Sequence, residues 1–95
     1  MYKKEYKYLS KWIDRNAEQL SEWNQYIWNL AEPAWREYES SKFYFEILKK
    51  NKFKVKKSSA GMPTAFCAEW KNGSGPTLAT YAEYDAVPGQ CQAAV

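Results

Sequence analysis

From residue 8 to residue 30 the apolar positions Leu9, Trp12, Ile13, Leu20, Trp23, Ile27 and Leu30 recur at spacings of three, four and seven. That is the period of a helix that covers one stripe and wets the other. Asp14, Arg15 and Asn16 form a weak polar break, so the run reads as one helix or two. Pro33 interrupts the pattern, and Glu32 just ahead of a proline at a first helical position reads as a restart. The next helix is expected from about residue 34 to residue 50, with Trp35, Tyr38, Phe45 and Leu48 on one stripe and Tyr44 and Ile47 widening it. Asn51 is the expected left-handed residue that closes it.

Beyond residue 52 the period changes from helical to alternating. FKVKKSS reads as a short strand that ends at AGMP, where Gly61 and Pro63 mark a turn. TAFCAEW (64–70) and TLATYAEY (77–84) read as two further strands, and the KNGSGP loop between them favours an antiparallel hairpin. The expected fold is therefore α/β, with two or three helices followed by three strands. In the last strand Leu78, Ala82 and Tyr84 point one way and Ala79 and Tyr81 the other, so both faces are apolar. Such a strand belongs inside a sheet covered on both sides. Two helices cover one face only, which makes the chain look like the opening of a larger helix-flanked domain.

That strand runs into two carboxylates, in TLATYAEYDAVPGQ. Residues two apart on a strand share a face at roughly 6.5 to 7 Å, so Glu83 and Asp85 can address one site. They stand at the C-terminal end of the strand, where open α/β sheets hold their ligands. Carboxylates that continue a buried strand need a cation, a metal or several donors. The simpler reading is a strand emerging into solvent, with Asp85 opening the DAVPG turn.

Composition narrows the chemistry. Ninety-five residues make one domain at most, and five Trp, eight Tyr and four Phe supply most of the buriable area. There is no histidine, which excludes a His-rich zinc site or a Ser-His-Asp triad built from this chain alone. The charged N-terminus lacks the apolar core of a signal peptide, and no run has the length of a membrane span, so a cytoplasmic protein without membrane partners is expected. Cys67 and Cys91 read as free thiols, Cys67 as a small core residue. Residues 1–48 carry seven basic and eight acidic side chains, whereas KKNKFKVKK (49–57) carries six lysines and no acid. A small basic, aromatic module for nucleic acid is one reading of that window. Lysines that complement a helix C-terminus and guard an edge strand are the plainer one.

The series IWNLAEPAWREYESS, AGMPTAFCAEW, a short glycine loop and ATYAEYDAVPG resembles, in order and spacing from about residue 27 onward, the N-terminal part of a family of metal-dependent amidohydrolases. The family contains aminoacylases, amino-acid-conjugate hydrolases and metallo-carboxypeptidases, and the likeness is greatest to its aminobenzoyl-glutamate branch. The resemblance implies a catalytic domain holding two divalent ions, zinc or manganese, with an inserted lid or dimerisation domain. It also implies cleavage of an amide between an acyl or aroyl group and an amino acid, in a protein that is homo-oligomeric or paired with a related subunit. Two metals suit that reaction by polarising the carbonyl and activating a bridging water.

By the same resemblance Asp85 falls on the aspartate of a His-x-Asp motif and orients a metal-ligating group. Glu83 takes the place of the motif's histidine, near the metal, and Glu37 in WREYESS matches a glutamate of a Phe-x-Glu pattern. Family members run on into a His-x-Cys-Gly-His loop and then to an acidic pair with the general base. Cys91, in QCQAAV, matches the linker before that loop rather than its ligand. Residues 1–95 are thus expected to be an incomplete N-terminal portion of one catalytic domain, without its lid, without a complete metal site and inactive alone. A truncated remnant with no function of its own is a third reading.

Overall fold

The structure is a computed structural model that describes residues 2–89, so Cys91 lies outside it. Helix α1 spans Lys3–Leu30 without interruption. The polar break at residues 14–16 does not divide it, because Asn16 turns its amide back onto the helix and donates from Nδ2 to the Trp12 carbonyl at 2.8 Å. The helix stops at Ala31, which adopts left-handed backbone angles (φ 46°), and Pro33 lacks the N–H needed to go on.

Helix α2 spans Tyr38–Lys50, four residues later than the pattern predicts. Residues 34–37 are used by a turn instead: the Arg36 N–H donates to the Pro33 carbonyl at 3.0 Å, and Trp35 sits at φ 70°. Trp35 is therefore exposed rather than part of the α2 stripe. The other end also differs from expectation by one residue. Asn51 has φ −90°, and the left-handed position is Lys52 at φ 69°. Phe53 N–H reaches the Leu48 carbonyl at 2.9 Å and Lys52 N–H the Lys49 carbonyl at 3.0 Å. These paired bonds form a Schellman closure built without glycine.

Strands β1 (Lys54–Lys57) and β2 (Phe66–Glu69) pair antiparallel, with Val55 opposite Ala68 and Lys57 opposite Phe66. A short 3-10 turn, Ser59–Gly61, and the Met62–Ala65 turn link them, where Ala65 N–H donates to the Met62 carbonyl at 3.1 Å. The alternation puts Val55, Phe66 and Ala68 on the side facing α2. Lys54 and Glu69, opposite charges across the ladder, point outward with Lys56 and Cys67. Cys67 is thus an exposed free thiol and not a core residue.

Residues 77–84 form no strand, and among the described residues the sheet has two strands rather than three. The hairpin expected across KNGSGP is replaced by the β1–β2 pairing. The reason lies in the doubly apolar pattern itself. A strand greasy on both faces gains from pairing only when layers cover both, and here Leu78 is 92% and Tyr81 88% exposed.

What holds the elements together is aromatic contact at half-buried positions. Tyr26 of α1 stacks on Phe43 of α2 with centroids 4.3 Å apart, and Lys57 lies 4.0 Å above the Phe45 ring. Among the described residues no apolar side chain is fully buried; Ser40, Ser41 and Thr64 are the buried ones. The accessible surface is 8855 Å², against about 5,700 Å² for a compact protein of this mass. The radius of gyration is 15.7 Å, against about 12.4 Å for a compact 95-residue fold. Among the described residues no helix is long and apolar enough to cross a membrane.

The closure of α2 leads to a stability prediction. Lys52→Gly removes the Cβ penalty at a left-handed position while keeping both capping bonds, so it stabilises the chain by about 1 kcal/mol. Thermal melts followed by circular dichroism at 222 nm should show a rise in midpoint.

Candidate functional site

Three segments that share no regular element meet in an open cleft of about 350 Å³. The inter-helix turn contributes Trp35 and Glu37, the turn before β2 contributes Met62 and Thr64, and the extended segment contributes Glu83, Tyr84 and Asp85. Glu83 and Asp85 both line this cleft, from an extended segment and not from the paired strand expected to carry them. Glu37 joins them there. Both Glu83 and Asp85 are solvent-exposed.

The cleft is assembled by three hydrogen bonds and two aromatic contacts. The Ala86 N–H donates to the Glu32 carbonyl at 2.7 Å, which ties the extended segment to the end of α1. The Tyr84 hydroxyl donates to the Thr64 carbonyl, and the Thr64 hydroxyl donates to Glu37 Oε1 at 3.2 Å. Tyr84 also packs nearly parallel to Phe66 of β2, 6.1 Å away at 11°, and lies 5.4 Å from Tyr44 of α2. Its apolar ring joins the aromatic cluster while its hydroxyl faces the cleft, the usual division of a half-buried tyrosine. Burial, and after it the charges of Glu37 and Tyr44, raise its pKa above the ordinary 10.0. The phenol therefore keeps the proton that it donates to Thr64.

Glu32 sets the position of α2. Its carboxylate accepts from the Ser40 N–H (2.6 Å, Oε1) and from the Glu39 N–H (3.1 Å, Oε2), two first-turn amides that otherwise lack partners. This is the work of an N-cap side chain, done by a residue six positions ahead of the helix. Burial alone would raise its pKa. The Ser40 hydroxyl and the backbone N–H groups of Glu39, Ser40 and Tyr38 outweigh it and hold the carboxyl below its ordinary 4.5. The Ser40 hydroxyl beside it is fully buried, and among the described residues no partner meets strict hydrogen-bond geometry with it.

Chemically the cleft offers three carboxylates, a phenol and a hydroxyl, a set suited to hydrogen-bond donors. Among the described residues no group of three histidine, cysteine or acidic side chains converges in a way that could hold a metal ion. With no histidine in the chain, the residues present do not fit a dinuclear metal centre. The roles of Thr64, Tyr84 and Glu32 carry no motif in the sequence. The nearest signal is Glu32 before Pro33, which marks a helix cap but not the distance over which it acts. Comparison with family models, with curated proteins and with solved structures finds no match to this chain.

Two predictions concern these anchors. Glu32→Ala should cost about 1 kcal/mol, in the range of lost helix caps. Because the folded pKa of Glu32 is depressed, its contribution is complete above the unfolded value near 4.5 and is lost as pH falls through the lower folded value. A pH titration of helicity should accordingly show less acid sensitivity in Glu32→Ala than in the native chain. Tyr84→Phe removes a partly buried hydrogen bond, costs about 1 kcal/mol, and should speed hydrogen exchange at the Ala86 amide as the segment loosens.

Proposed function

We propose that this chain forms the N-terminal part of the catalytic domain of a metal-dependent amidohydrolase. The enzyme would split an amide joining an acyl or aroyl group to an amino acid, as in an aminobenzoyl-glutamate conjugate. The observation that carries this reading is the meeting of Glu37, Glu83 and Asp85 in one cleft. The first comes from WREYESS and the other two from ATYAEYDAVPG, segments on which the likeness to that family rests. Separate motifs that converge on one site are what a shared reaction requires.

Exposure supports the same reading. The chain has roughly 3,000 Å² more accessible surface than a compact protein of its mass, and Leu78 and Tyr81 lie within the segment expected to be an interior strand. An α/β sheet extended past this chain would cover both. In the complete domain Asp85 is a positioning residue: its carboxylate accepts from a ligand-bearing side chain and holds it in orientation. Glu83 lies two residues before it, at the place where members of that family carry histidine. The ions themselves need ligands that the described residues do not supply, so the chain alone is inactive.

The coding sequence after the codon for Val95 tests this directly. Continuation into a His-x-Cys-Gly-His loop is expected, and unrelated sequence would overturn the proposal. In the protein so extended, Asp85→Asn should lower kcat/KM for an aminobenzoyl-glutamate substrate by about 10- to 100-fold. The 95-residue chain supplied with zinc or manganese should release no glutamate.

A further inference from the structure

Two large apolar side chains stand exposed in the cleft. Trp35 is 64% exposed and Met62 39%, and both line the cavity. The ring pairs that hold the fold together, Tyr26 with Phe43 and Tyr44 with Phe66 and Tyr84, leave Trp35 out. Its backbone sharpens the point. A bulky residue is rarely held at φ 70°, and glycine would close the Pro33–Arg36 turn with less strain. Backbone strain of this kind clusters at ligand clamps and active sites.

The rest of the cavity says what such a platform would hold. The Glu83 and Asp85 carboxylates are exposed, and among the described residues no hydrogen bond reaches either of them. Glu37 already accepts from the Thr64 hydroxyl. A flat π face and a polarisable thioether beside open acceptors match a ligand with an aromatic ring and N–H donors. An aliphatic chain offers no face to stack. The volume of about 350 Å³ is at the small end of ligand pockets, enough for one substituted ring.

We infer that Trp35 is a specificity-determining residue, whose indole face stacks on the aromatic ring of an aryl amide held in this cleft. Identifying that ring with the aroyl part of a substrate rests on the amidohydrolase reading, whereas the stacking subsite does not.

Heteronuclear NMR of the 95-residue chain, in which each indole N–H gives its own signal, tests it with 4-aminobenzamide as the probe. The indole signal that is missing from Trp35→Gly should be the one that moves, together with the Thr64 and Asp85 amides. Hexanamide, an amide without a ring, should move none of them. Glycine is at ease at a left-handed position, so Trp35→Gly keeps the turn, and in it the Kd of the probe should rise by about tenfold. In the protein extended past Val95, the same variant should lower kcat/KM about tenfold for an aroyl-glutamate and leave it unchanged for a short aliphatic acyl-glutamate. Probe shifts that spare Trp35, a Kd that Trp35→Gly leaves unchanged, or an unchanged aroyl-to-acyl ratio in an active extended protein would each overturn the inference. The last of these leaves the amidohydrolase reading standing. An extended protein without amidase activity, whose Trp35 signal still moves with the probe, would overturn that reading and support the subsite.

Discussion

One residue, Glu32, stands at the junction of everything that shapes the cleft. Its carboxylate binds the first amides of α2 and its carbonyl binds the Ala86 N–H. The side chain thus places the helix that carries Tyr44, and the backbone places the segment that carries Glu83 and Asp85. Both halves depend on the turn that Pro33 starts just after it, because a continued helix would satisfy the Glu32 carbonyl internally and leave nothing for Ala86. The geometry of the candidate site is in this sense a by-product of ending one helix and capping the next.

The rest of the assembly is held by surfaces that only half bury. Tyr44, Phe66 and Tyr84 form a cluster whose members each keep an exposed edge, and the sheet that supports them has two strands. A two-stranded sheet becomes independently stable only when a layer packs on it. Here α2 serves as that layer on one side, while the outward face presents Lys54, Lys56, Cys67 and Glu69 to solvent. The lysine run that gives the chain its net positive charge is largely accounted for by these local duties: Lys49 and Lys50 sit in the last turn of α2, Lys54 faces Glu69, and Lys57 covers Phe45.

Much of the local structure was legible in the sequence because it depends on neighbours in the chain. The helical period between residues 8 and 30, the stop near residue 50, the turn at Gly61 and Pro63 and the first two strands all follow from residues within a few positions of each other. The failures are of another kind. Asn16 reads as a break until its side chain is seen bonded one turn back, and Asn51 yields the left-handed position to Lys52 because the Schellman bonds require it there. The segment at 77–84 has the composition of an interior strand and lacks the covering layers that would make it one. Glu83 and Asp85 line one cleft, although the strand on which their spacing was read does not form. The hydroxyl of Thr64 and the long reach of Glu32 were not legible, since each acts on a partner that only the fold brings near.

A chain whose described apolar side chains all keep contact with water releases little new apolar surface from them when it unfolds. The heat-capacity change of unfolding measures that quantity most directly, since it scales with the apolar area exposed. Scanning calorimetry of the 95-residue chain should give a value well below the roughly 1.3 kcal/mol/K that a compact domain of this length shows. A full-sized heat-capacity change in a monomer would contradict this picture, because it would require a buried core that the described residues do not contain.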